Sequence, residues 1–310
     1  MSASIKLDYL PAEESFLDPI RADANDPALA RAVVIPFGLE ASVSYGGGTA
    51  AGPAAILAAS QQLELYDDEL KCEPYLRYGV AALREPDIAR PIEAALAQLH
   101  DLVEAVLDAG RFPFVLGGEH ALTPAPVRAL ARRYPDLVVL HLDAHADLRD
   151  GYLGERHSHA AAMRRVLDLP GVTLVSAGIR AVSSEEVAFY EANRDRITIH
   201  WAREQERWSI AEIVAPLRGR PVYVTFDIDA LDGAIMPATG TPTPGGLSYA
   251  RALEIVREGC SAAGAVVGAD LVELAPIKGF HAYDYMAAAI AYKMLSYALA
   301  RDGGAPAQGA

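Results

Sequence analysis

The chain has 310 residues, and 27 Lys and Arg against 41 Asp and Glu leave a formal net charge of −14. A hydrophobic fraction of 52% with 22% charged residues excludes a disordered, collagen-like or disulfide-scaffold chain, and the length suits either two small domains or one large α/β layer structure. No Lys/Arg-rich run of five or more residues occurs, which argues against a nucleic-acid partner; cations and cationic small molecules fit the acidic balance better.

The first 18 residues carry Asp8, Glu13, Glu14 and Asp18 without an uninterrupted apolar stretch, so no signal peptide is expected. No segment approaches 18 apolar residues without a charge, so no membrane span is expected either, and the expected location is cytoplasmic. After an irregular extension to about residue 27, apolar runs rich in Val, Ile and aromatics alternate with helical patterns. In chain order the expectations are a strand at 32–37, a helix at 53–65, a strand at 78–83, a helix at 91–109, a strand at 112–116 and a helix at 124–134. A strand at 137–142, a helix at 160–167, a strand at 172–177, a helix at 184–193 and a strand at 197–200 come next. The series closes with a helix at 210–217, a strand at 221–226, a helix at 249–263, a strand at 265–269, a helix at 283–301 and an irregular tail at 302–310. Pro53, Pro91 and Pro124 suit first-turn positions and Ser248 an N-cap.

No linker or repeat interrupts this alternation. The expectation is therefore one three-layer α/β/α domain with a mainly parallel sheet of about eight strands, whose ligands bind beyond the carboxyl ends of the strands. Cys72 and Cys260 are too few for a disulfide framework and lie in no CxxC or Cys/His zinc pattern. The segment Gly46–Gly48 with Gly52 and Pro53 has neither the spacing nor the Lys of a phosphate-binding loop.

Three strand ends carry the chemistry. In VVLHLDAHADLRD the apolar run to Leu142 is followed at once by Asp143, His145 and Asp147, and in an extended chain residues two apart share one face. VYVTFDIDALDG repeats the device with Asp227 and Asp229, and FPFVLGGEH ends in Gly117 and Gly118, which allow a sharp turn before Glu119 and His120. Each piece alone has an ordinary explanation: solvated loop acids, helix caps, or a packed histidine. Together His120, Asp143, His145, Asp147, Asp227 and Asp229 offer two imidazoles and four carboxylates, too many for one small cation and suited to two ions about 3.5–4 Å apart. The absence of thiolates argues against structural zinc, and mixed carboxylate and imidazole ligation favours Mn²⁺ over Mg²⁺ or Ca²⁺. Metal-assisted hydrolysis is the reaction class expected.

These segments resemble the metal motifs of the ureohydrolase family of arginases and agmatinases, GG(D/E)H, DAHxD and (S/T)FDIDxxDP, which stand here in the family's order as residues 117–120, 143–147 and 225–232. SYGGGTAAGPAAI at 44–56, ATGTPTPGGL at 238–247 and DLVELAP at 270–276 are similar to further family motifs, so the likeness runs from about residue 32 to 300. The resemblance implies the arginase-like fold and two Mn²⁺ per subunit: one on His120, Asp143, Asp147 and Asp227, the other on Asp143, His145, Asp227 and Asp229, with Asp143 and Asp227 bridging. It implies that Glu273 grips the substrate guanidinium and that His159 shuttles protons to the leaving amine, with His157 as the competing candidate; Asp147 joins these two as a catalytic residue. Family members are usually trimers or hexamers, so a homotrimer or homohexamer is expected. Gly233, Ala238 and the pair Ala160 and Ala161 depart from the family pattern at positions that are not ligands.

Arg149 stands where arginases carry the Asn that binds the amino-acid end of arginine. The chain therefore looks more like the agmatinase branch, acting on agmatine or aminopropylagmatine, and the negative charge suits a small cationic guanidino substrate. Arg149 disfavours a cationic tail unless it pairs with Asp150 or Glu155; if it faces the pocket it favours a guanidino acid such as guanidinobutyrate. From another class, the chain could be a catalytically silent metal-binding relative serving assembly with a partner, although every family ligand is retained.

Overall fold

A computed structural model of the protein describes residues 5–300. Among the described residues eight strands alternate with nine α-helices, in the order β1 (Ala32–Phe37), α1 (Gly52–Ser60), α2 (Tyr75–Tyr78), β2 (Val80–Ala82), α3 (Ile92–Asp108), β3 (Phe112–Gly117), α4 (Pro124–Ala131) and β4 (Val138–Leu142). There follow α5 (Ala162–Leu167), β5 (Thr173–Ile179), α6 (Ser184–Ala192), β6 (Ile197–Trp201), α7 (Ile210–Val214), β7 (Pro221–Asp227), α8 (Tyr249–Ala262), β8 (Ala265–Val272) and α9 (His281–Leu299). The strands form one sheet in the order β2-β1-β3-β8-β7-β4-β5-β6, and every pairing is parallel.

The strands are apolar throughout because helices cover both faces of the sheet. In β1, Ala32 and Val34 pack toward α1 and α9, whereas Val33, Ile35 and Phe37 pack toward α3. Alternation puts a different set on the second face of the central strands: Tyr223, Thr225 and Asp227 of β7, Asp270 of β8, and His141 and Asp143 at the end of β4 form a buried polar seam. The site stands at the upper end of that seam.

All eight expected strands are present. The expected strand at 78–83 begins later, because Tyr78 closes the four-residue helix α2 and Gly79 (φ 60°) turns the chain into β2. The expected helix at 53–65 stops at Ser60, whose hydroxyl turns back to the Leu57 carbonyl and accepts the Leu17 N–H. The expected helix at 210–217 ends as α at Val214 and finishes as a 3₁₀ turn around Pro216, which has no N–H to donate. Pro91 caps α3 rather than sitting inside it, and Ser248 caps α8 by accepting the Arg251 N–H. The tail at 302–310 and the last residue of the expected helix at 283–301 lie outside the described residues. Within the expected extension before residue 27, Phe16 and Leu17 are fully buried in the core.

Candidate active site

The carboxyl ends of β3, β7 and β4 deliver the six candidate ligands to one place, and β8, between β3 and β7 in the sheet, brings Glu273 beside them. His120 stands at the centre of the first group: its Nδ1 lies 3.1 Å from Asp143 Oδ2, 3.2 Å from Asp147 Oδ2 and 3.3 Å from Asp227 Oδ2. His145 anchors the second, with Nδ1 3.1 Å from Asp229 Oδ2 and 3.5 Å from Asp143 Oδ1. Asp143 thus faces both groups, one oxygen to each.

Extended geometry alone does not build this arrangement. Asp143 Oδ1 accepts the His145 N–H at 2.6 Å, and Asp227 Oδ1 accepts the Asp229 N–H at 2.8 Å, so each strand ends in a side-chain-capped turn. The three residues expected on one face divide accordingly. Asp143 and Asp147 meet His120, while His145 meets Asp229. Asp147 gets there through a left-handed backbone (φ 53°), and Glu273 is likewise left-handed (φ 67°), conformations that non-glycine residues hold only where the surroundings enforce them.

Gly118 is not a left-handed turn glycine; its role is close approach. A Cβ there would stand 2.1 Å from the Leu39 carbonyl oxygen. The Glu119 N–H donates to that same carbonyl and the Glu273 N–H to the Gly118 carbonyl, which clamps the His120 loop between two neighbours.

The electrostatics call for positive charge. Four carboxylates are buried within a few ångströms, Asp143 and Asp229 with 0% and 2% of their surface exposed, a costly arrangement without counter-charge. Burial, then the neighbouring Asp229 and Asp143, push the Asp227 carboxyl well up. Burial also raises Asp143, but contacts from His120, His141 and His145 outweigh it and hold the group well below the usual carboxylate range. Burial would depress His145, yet Asp229 and Asp143 push it up to about 12. The buried His120 Nδ1 has no hydrogen-bond partner although three carboxylate oxygens converge on it. A nitrogen ringed by carboxylates is the donor set of a cation site, and metal ions fit the residues present.

A cavity of about 240 Å³ opens above the cluster. His120, His145, Asp147, Asp227 and Asp229 line its floor, while His159, Glu273 and Arg149 line its walls; Asp143 lies beneath it. Glu273 Oε1 accepts the His120 N–H at 2.7 Å, and burial pushes its carboxyl up to about 8. His157 is not part of the wall, and its N–H is tied to Glu155 Oε1. Arg149 pairs neither with Asp150 nor with Glu155. Its Nη1 lies 3.0 Å from Glu185 Oε1, its Nε 3.9 Å from Glu186 Oε2, and its guanidinium covers the Tyr152 ring at 4.8 Å. Asp150 goes instead to Arg165.

Supporting residues escape the sequence reading. His141 Nε2 lies 2.8 Å from Asp143 Oδ2 and its Nδ1 2.9 Å from Ser176 Oγ. His120 Nε2 lies 3.0 Å from Thr225 Oγ1, and Asp270 Oδ2 accepts the hydroxyls of Thr123 and Tyr223 below it. Arg180 donates to the carbonyls of Asp229, Leu231 and Thr243, latching the loop after β7. The signal for His141 and Thr225 was available: each lies two residues before a ligand on the same strand face.

A sequence model described as the arginase family matches residues 30–297. The chain belongs to the arginase family. It is 37% identical over 279 residues to N(1)-aminopropylagmatine ureohydrolase of Synechocystis, covering 86% of this chain and 89% of that protein. It is 38% identical over 263 residues to agmatinase of Bacillus anthracis, covering 82% and 87%. Among solved structures, the agmatine ureohydrolase of Thermoplasma volcanium superposes with a TM-score of 0.80 at 29% identity, covering 92% of this chain and 94% of that one. This arginase-family chain is a hydrolase of the agmatinase-type branch, and its eight-stranded parallel sheet with flanking helices is the architecture of its structural neighbours. Among the described residues no helix is long and apolar enough to cross a membrane.

Proposed function

We propose that this arginase-family hydrolase cleaves the guanidino group of agmatine or aminopropylagmatine, releasing urea and a polyamine, with two Mn²⁺ bound. The observation that carries the reading is Asp143, whose two oxygens face two separate imidazole groups on the floor of one cavity. His120, Asp143, Asp147 and Asp227 would hold one ion, and Asp143, His145, Asp227 and Asp229 the other. When bound, such a pair supplies positive charge and a water acidic enough to attack an sp² carbon near neutral pH.

The chain's own residues do the rest. Glu273 is fixed by the His120 N–H at 2.7 Å, and once ionised beside a bound guanidinium it suits that planar N–H fork, setting the guanidinium carbon over the cavity floor. His159, which also lines the cavity, has its pKa lowered by burial and moves protons to the departing amine nitrogen. Tyr152 stands edge-on to that imidazole, ring centroids 6.4 Å apart, and limits its movement.

The substrate's remote end meets Arg149 and Glu186. Arg149 and Glu186 line this part of the cavity, and Glu185, outside the lining, already engages the Arg149 guanidinium, which supports an ammonium tail over a carboxylate. The guanidino-acid reading, with guanidinobutyrate as substrate, rests on Arg149 lining the cavity and remains the second choice. A silent metal-binding relative serving assembly is disfavoured, since the ligand groups, Glu273 and His159 all converge on one cavity. Urea release measured with Mn²⁺ over a panel of agmatine, aminopropylagmatine, arginine and guanidinobutyrate tests the reading: no urea from any of them overturns it.

A further inference from the structure

Three serines that the reaction chemistry does not itself require surround His159: Ser42, Ser44 and Ser158, the last with Oγ 3.5 Å from Nδ1. Ser42 Oγ accepts the His159 backbone N–H at 2.9 Å and lies 3.1 Å from the ring Nδ1. The same hydroxyl lies 3.0 Å from Glu119 Oε2, an oxygen that also accepts the Ser42 backbone N–H at 2.8 Å. Glu119 is fully buried, and its loop is fixed by the Leu39 carbonyl. On the other side of the ring, Ser44 Oγ stands 3.3 Å from Nε2.

A serine hydroxyl has one proton and two lone pairs. Glu119 Oε2 is an acceptor for the Ser42 N–H and takes the hydroxyl proton by the same geometry, so the lone pairs of Ser42 Oγ are left to the His159 backbone N–H and the ring. Nδ1 must then be the protonated nitrogen and Nε2 the bare one. We propose that Glu119 and Ser42 form a positioning relay that fixes His159 as the Nδ1–H tautomer and leaves its unprotonated Nε2, beside Ser44 Oγ, toward the cavity. The inference deepens the proton-shuttle reading above and rests on it for its catalytic consequence alone.

In guanidine hydrolysis the attacking water surrenders both protons as its oxygen becomes the urea carbonyl, and the amine nitrogen gains two as its C–N bond breaks. Nε2 accepts one of these protons and delivers it to that nitrogen. While it carries the proton, the imidazolium donates through Nδ1 to Ser42 Oγ, whose own proton points at Glu119. The relay thus orients the base, much as a buried acid orients a catalytic histidine elsewhere, without touching substrate.

The test uses the full-length chain. Long-range ¹⁵N–¹H correlation spectra of the histidine-labelled, metal-free protein, assigned with His159→Ala, should place the His159 proton on Nδ1. Ser42→Ala should lose that preference and Ser42→Thr, which keeps the hydroxyl, should restore it. With Mn²⁺ added, Ser42→Ala should lower kcat by about 10-fold or more, short of the loss of the whole general acid/base. KM and bound metal should stay within about two-fold of the parent, and Ser42→Thr should recover most of kcat. An Nε2–H tautomer in the parent protein, or a kcat untouched by Ser42→Ala in an active enzyme, overturns the relay. Absence of urea release in the parent overturns the proposed function instead, and the tautomer measurement still decides the relay.

Discussion

Asp143 and Asp147 stand against the same nitrogen of His120, at 3.1 and 3.2 Å, but only Asp143 also reaches His145. Sharing should translate into unequal sensitivity. Asp143→Asn, and Asp227→Asn as the second expected bridge, should each lower metal content and urea release more than Asp147→Asn, as measured by elemental analysis and turnover. Equal metal content and unchanged turnover in the two bridging variants would refute the assignment of roles.

Removal of metal should abolish activity and also loosen the fold around the carboxylates. Chelated protein should release no urea and regain activity with Mn²⁺ better than with Mg²⁺ or Ca²⁺. Saturation at about 100 times the dissociation constant should add about 2.7 kcal/mol to stability, seen as a rise in Tm. Full activity in excess chelator, with metal verified absent, contradicts the two-ion reading.

The two neighbouring histidines should behave differently. His159 lines the cavity and His157 does not, so His159→Ala should retain metal yet lose about 10²–10⁴-fold in kcat, while His157→Ala should cost far less. The reverse ranking transfers the shuttle to His157.

Substrate choice follows from the Arg149 and Glu185 pair. kcat/KM should be higher for agmatine-type amines than for arginine or guanidinobutyrate, and Arg149→Ala should preserve or improve amine turnover by leaving the wall acidic. A preference for guanidinobutyrate that Arg149→Ala abolishes establishes the guanidino-acid branch.

Gly118→Ala should be destabilising by about 1–3 kcal/mol in denaturant titration, because the new Cβ would stand 2.1 Å from the Leu39 carbonyl oxygen. Loss of metal affinity should accompany it, since His120 is two residues on. Parent-like stability would mean the loop can shift.

Strands and ligands are legible in the sequence for the same reason: both obey short periods. A strand covered on both faces is a run of apolar residues, and a ligand pair at its end is two acids two apart. What escapes depends on distance along the chain. Glu119 lies 77 residues from Ser42 and His159 lies 117 from it, and nothing local marks Ser42 as the partner of either. Asp270 sits in a family-like motif, but its contacts with Thr123 and Tyr223 come from strand order, which periodicity does not encode. Arg149 shows the limit most plainly. Its nearby acids in sequence, Asp150 and Glu155, are not the ones it meets, because α6 brings Glu185 to it from 36 residues away.

The sheet order also bears on when the site can exist. β8, residues 265–272, lies between β3 and β7 and alone joins the half made of β2, β1 and β3 to the half made of β7, β4, β5 and β6. His120 follows the first half, and the four aspartates and His145 belong to the second. As the chain leaves the ribosome, β8 must emerge before the two sets of donors are zipped together. Long-range strand insertion of this kind is a late and slow event in folding. A nascent chain that stops short of β8 therefore carries no assembled cation trap, and loading must wait for that strand.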